Sequence, residues 1–95
     1  MKHIVRIELL AASDPDREAL SRALRLAGFE HTVAGRDGQR FVLPAGEYTF
    51  DGKATVYDVL DLAKRAAAST GKECRVLATE VAGQVWFGLE AHTPT

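Results

Sequence analysis

The chain holds one cysteine, one tryptophan and three prolines in 95 residues. A lone Cys74 excludes an internal disulfide and fits a reducing compartment, where it reads as a small hydrophobe at a strand start. Excess charge is missing too: 12 basic residues stand against 13 acidic ones, for a net charge of −1. That excludes a whole-molecule field strong enough to collect nucleic acid, so any RNA binding must rest on a local patch. No apolar run approaches the roughly 20 residues of a membrane span. Met1-Lys2-His3 leads straight into strand-like residues and not into the apolar stretch of a signal peptide. The expected setting is the cytoplasm, with no membrane partner.

Metal and phosphate signatures are also lacking. His3, His31 and His92 make no metal-ligand spacing with one another or with Cys74, and each reads as a surface or structural histidine. Gly28, Gly35, Gly38 and Gly46 read as helix stops and turns, not as a phosphate loop. No nucleophilic triad is legible. No metal and no cofactor is expected.

What remains is an ordinary globular composition, 46% apolar and 26% charged, expected to form one domain over residues 1–95. Lys2 to Leu10 alternates, with Val5, Ile7 and Leu9 on one face and Arg6 and Glu8 on the other, which predicts a strand. Ser13-Asp14-Pro15-Asp16 is a helix start, Leu20, Ala23, Leu24 and Ala27 form the apolar stripe, and Gly28 is the stop. Phe29 to Ala34 and Gln39 to Leu43 read as a hairpin turning at Asp37-Gly38 and ending before Pro44. Glu47 to Phe50 reads as a short resumption, with Tyr48 and Phe50 on one face. Thr55 and Asp58 open a second capped helix that Gly71 closes. Cys74 to Glu80 and Gln84 to Glu90 complete the pattern as two strands, and the tail from Ala91 through Pro94 is expected to fray. The order β-α-β-β-α-β-β matches an α+β, ferredoxin-like split β-α-β plan with one appended strand. Two helices would cover one face of an antiparallel sheet and leave the other open.

The chemistry-bearing residues fall into three sets. Asp14 and Asp16 leave the first strand together and would suit a divalent ion, but helix capping explains both. Arg17, Arg22 and Arg25 on the first helix, with Arg36 and Arg40 around the Asp37-Gly38 turn, would suit RNA phosphates if they converge. Guanidinium groups also stabilise charge that develops during strand scission. Interleaved Asp14, Asp16, Glu18 and Asp37 fit a mixed solvated surface equally well. Tyr48, Tyr57 and Trp86 are the aromatic candidates for base stacking. Alternation puts Trp86 opposite Val85, Phe87 and Leu89, so Trp86 would project onto the open sheet face. An aromatic there marks an interface, first for a homodimer and second for RNA.

The succession of a helix ending in Gly28-Phe29, a strand, Asp37-Gly38, Leu43-Pro44 and Tyr48 resembles the GhoS family. These are endoribonuclease antitoxins of type V toxin–antitoxin systems. A second helix ending Thr70-Gly71-Lys72 and a final hairpin with Val85-Trp86 fit the same layout. The resemblance implies a ferredoxin-like fold akin to the CRISPR adaptation nucleases and cleavage of a toxin messenger RNA. It also implies a catalytic arginine on the first helix, for which Arg22 is the nearest candidate; Arg17, Arg25, Arg36 and Arg40, from the residue reading above, would then bind RNA. The competing expectation is a non-enzymatic inhibitor or anti-defence module that occupies a protein partner through its free sheet face. A homodimer fits both.

Overall fold

A computed structural model describes residues 1–93 of the chain. The strand β1 (Lys2–Leu9) is followed by helix α1 (Asp14–Leu26) and strands β2 (Thr32–Ala34), β3 (Arg40–Val42) and β4 (Glu47–Asp51). Helix α2 (Val56–Ala68) and strand β5 (Cys74–Glu80) complete the order. The result is a mixed α+β fold with antiparallel sheets, and no helix among the described residues is long and apolar enough to cross a membrane.

β1 lies centrally in the larger sheet, antiparallel to β4 on one side and β5 on the other, with Val5 opposite Tyr48 and Ala78. An extended backbone turns successive side chains to opposite faces of the sheet. His3, Val5 and Ile7 are accordingly buried, while Lys2, Arg6 and Glu8 face outward. Both helices supply the cover: Leu20 and Leu24 from α1 and Val59, Ala63, Ala66 and Ala67 from α2 join Val5, Ile7 and Phe29 in one core.

Local chemistry sets both helix starts. Ser13 accepts a hydrogen bond from the Asp16 backbone N–H, and the Asp16 carboxylate accepts one from the Ser13 N–H at 2.9 Å. Thr55 and Asp58 repeat the exchange at 3.1 Å in each direction. Such reciprocal caps satisfy helix N–H groups that have no intrahelical partner. The turn into β4 depends on Gly46, whose φ is +86° and where a Cβ would stand 2.9 Å from the Ile7 carbonyl oxygen. A side chain there meets backbone on one side and left-handed strain on the other.

The expected final strand, Gln84 to Glu90, does not form. Gly88 takes φ +79°, which is incompatible with an extended ladder through the segment. Val85 and Phe87 are consequently almost wholly exposed. The strand count therefore shifts: three strands lie between the helices and one follows them. The expected single sheet is also divided, with β2 and β3 forming a separate two-stranded sheet joined to β4 by a bridge between Glu30 and Thr49. The tail is tied down where fraying is expected. Val42 N–H donates to the Glu90 carbonyl at 2.8 Å and His92 N–H to the Arg40 carbonyl at 2.9 Å, with Ala91 bridged to Phe41. Pro94 lies outside the described residues. The Asp37-Gly38 turn is wider than the tight hairpin expected: the loop spans 35–39, with Gln39 N–H donating to the Asp37 carboxylate.

His3 is fully buried beside Phe50, and neither ring nitrogen has a hydrogen-bond partner among the described residues. The Glu80 carboxylate, 4.0 Å from Nε2, is too distant to accept a hydrogen bond. Burying an unpaired polar group costs about 1–3 kcal/mol, so His3→Leu is expected to raise stability by about 1 kcal/mol. A urea midpoint that falls instead would mean that the ring makes a polar contact in solution.

Candidate nucleic-acid interface

Two grooves gather the residues that carry chemistry. The first lies where the last turn of α1, the segment after Phe29 and the end of the chain meet. Arg25, Glu30, His31, Thr32, Arg40, His92 and Thr93 line about 400 Å³ of space. Arg25 stands in the last turn of α1 and is exposed. Arg40 is held rigidly: its Nε donates to Thr32 Oγ1 at 2.6 Å, one Nη donates to the Thr32 carbonyl at 3.0 Å, and Glu30 sits 2.6 Å away. The imidazoles of His31 and His92 meet edge to face, with ring centres 5.3 Å apart. The short ladder between β3 and residues 90–92 is what brings His92 to the site.

The chemistry open to this groove is that of two imidazoles and two guanidinium groups, of which Arg25 makes no ion pair among the described residues and Arg40 is paired with Glu30. Guanidinium forks match phosphate oxygens, and imidazole takes up or releases a proton near neutral pH. Among the described residues, no group of three or more His, Cys, Asp and Glu side chains is arranged to hold a metal ion.

The second groove lies at the other end of β2. Lys2, Ala34, Gly35, Arg36 and residues 81–86 line about 600 Å³. Trp86 forms its aromatic wall and is tilted against Phe41 with ring centres 5.7 Å apart. Trp86 belongs to no strand; it leans on β3 and does not project from the final strand that was expected.

The five candidate arginines thus part company. Arg25 and Arg40 share the first groove and Arg36 lines the second. Arg17 is paired with Asp14 at 3.1 Å in the first turn of α1, at the opposite end from Arg25, and exposed Arg22 lines neither groove. Tyr48 packs half-buried against the core, while Tyr57 stands exposed on α2. The open sheet face carries Ile4 and an exposed Leu77 together with the ion pairs Arg6–Glu47 and Arg75–Glu8, at 3.6 and 2.9 Å.

Asp14 and Asp16 are engaged as helix-start residues. The Asp16 carboxyl titrates below the ordinary carboxylate value, because the Ser13 backbone N–H and then the Ser13 hydroxyl donate to its charged form, with Lys72 and Arg17 nearby. A lowered folded-state value means that the contribution is complete above the unfolded value, about pH 4, and is lost as pH falls through the folded one. Asp16→Asn is therefore expected to lower the urea midpoint at neutral pH and to bring it closer to wild type at acid pH, as the carboxyl protonates in the folded state. An equal loss at both pH values would assign the effect to shape and not to charge.

Sequence reasoning found the arginines but not the histidine pair. His31 and His92 carry no local spacing that links them, and only the paired chain end makes them neighbours. No family model matches the chain, and no curated protein matches it either.

Proposed function

We propose that this chain is a small RNA-directed, antitoxin-like protein that cuts RNA within the strand, built on a ferredoxin-like arrangement with β2 as the outer neighbour of β4. The observation that carries the reading is the convergence of Arg25, Arg40, His31 and His92 on one groove. In RNA the 2′-oxygen attacks the adjacent phosphorus and the 5′-oxygen departs. One imidazole takes the proton of the 2′-hydroxyl and the other supplies a proton to the leaving 5′-oxygen. Arg25 and Arg40 hold the phosphate oxygens on which negative charge grows. The reaction then proceeds without a metal ion and ends in a 2′,3′-cyclic phosphate.

Incubation of the purified protein with a mixed RNA ladder, with and without Mg²⁺, tests this reading. Cleavage is expected in both conditions, and Arg25→Ala is expected to slow it by about 10²–10³-fold. Loss of cleavage in Arg22→Ala with Arg25→Ala unaffected would move the chemistry to the exposed surface of α1. If wild type cuts nothing, the enzyme reading falls. A binding module that uses Ile4 and Leu77 on the free sheet face, to pair with a second copy or another protein, then becomes the better account.

A further inference from the structure

We infer that the second groove is a base-stacking subsite for single-stranded RNA, with Trp86 as the platform and Lys2 and Arg36 as the phosphate contacts. This inference rests on the RNA reading above and deepens it, because it names the form of RNA that the protein takes.

Charge and shape both support it. The groove is lined by two cationic side chains and, among the described residues, by no acidic one. Two carboxylates that neighbour these cations along the chain or ladder have partners of their own. Asp51, across the ladder from Lys2, faces the amino terminus of Met1 at 3.8 Å, and Asp37, next to Arg36, accepts the Gln39 N–H at 3.0 Å. Neither Lys2 nor Arg36 makes an ion pair among the described residues. The indole rests against Phe41 at a 50° tilt and remains 37% exposed, so it has surface free to stack on. Ala34, Gly35, Ala82 and Gly83 leave the remaining walls low. The volume of about 600 Å³ lies within the range of small-ligand sites. An aromatic plane beside backbone-tracking cations is how proteins hold unpaired bases, whereas paired bases offer no free face.

The chain has one tryptophan, so its indole emission reports on this site alone. The probe is a single-stranded oligoribonucleotide with every 2′-hydroxyl methylated, which blocks attack by the 2′-oxygen; its binding is read by the anisotropy of a terminal dye. Saturable quenching of Trp86 emission is expected, with the same midpoint as the anisotropy. Trp86→Ala is expected to weaken binding about 5- to 100-fold, and Trp86→Phe to restore most of it. Arg36→Ala is expected to lower the slope of log affinity against log salt by about 0.7. Binding by anisotropy with unchanged emission and an unweakened Trp86→Ala variant would overturn the subsite while leaving the RNA reading intact. Equal affinity for the duplexed probe would also overturn it. No binding by either measure would remove both.

Discussion

His31→Ala and His92→Ala are each expected to slow RNA cleavage by about 10²–10⁴-fold, the usual worth of a positioned proton donor or acceptor. Both rings line the groove that holds Arg25 and Arg40, and their centres lie 5.3 Å apart, so one phosphodiester is within reach of both. The double variant is expected to lose little more than the worse single one, because residues that act on one transition state are not additive. A bell-shaped dependence of kcat/KM on pH should accompany the wild-type reaction and disappear in the single variants. The fold should survive either change. His31 is exposed, and what ties His92 to β3 is a backbone hydrogen bond to Arg40 that alanine keeps. Cleavage at wild-type rates by both variants would remove the imidazoles from the mechanism, and with them the case for this groove.

Elements whose signals are local were legible in the sequence. β1 follows from alternation, both helices from their capping residues and apolar stripes, and the shared face of Tyr48 and Phe50 from period two, although that face turns out to be the core and not a stacking surface. Residues 84–90 misled because alternation states which side chains share a face but not whether a partner edge or an uncovered core is available. Gly88, read only as part of that alternation, is where the extended run breaks. The arginines show the same limit in the candidate site. Arg36 and Arg40 flank one loop yet serve different grooves, and Arg40 is fixed by Thr32 and Glu30 through contacts that no spacing encodes. The meeting of His31 and His92 depends on a three-residue pairing at the end of the chain, too short to announce itself in composition or period.

The second large effect concerns the core. Phe29→Ala is expected to destabilise the protein by about 3–5 kcal/mol, a large share of the roughly 5–15 kcal/mol that holds a domain of this kind together. Phe29 is 1% exposed and stacks on Phe50 with ring centres 5.1 Å apart. Its backbone N–H also donates to the Leu24 carbonyl at 2.9 Å, closing the end of α1. One side chain therefore joins the end of α1, the helix-facing side of β4 and the segment that leads into β2. Alanine leaves a cavity that the Phe50 ring, already 3.3 Å from where a Cβ on Gly28 would stand, has little freedom to fill. Phe29→Leu is expected to keep roughly half of the stability lost on truncation to alanine, since most of the buried area remains. Urea unfolding followed by far-ultraviolet circular dichroism measures both, and a Phe29→Ala loss below about 1 kcal/mol would contradict this account of the core. Core and groove meet at Glu30, His31 and Thr32, which follow Phe29 directly and line the first groove. A variant that loosens Phe29 should lose cleavage together with stability, whereas His31→Ala should lose cleavage alone.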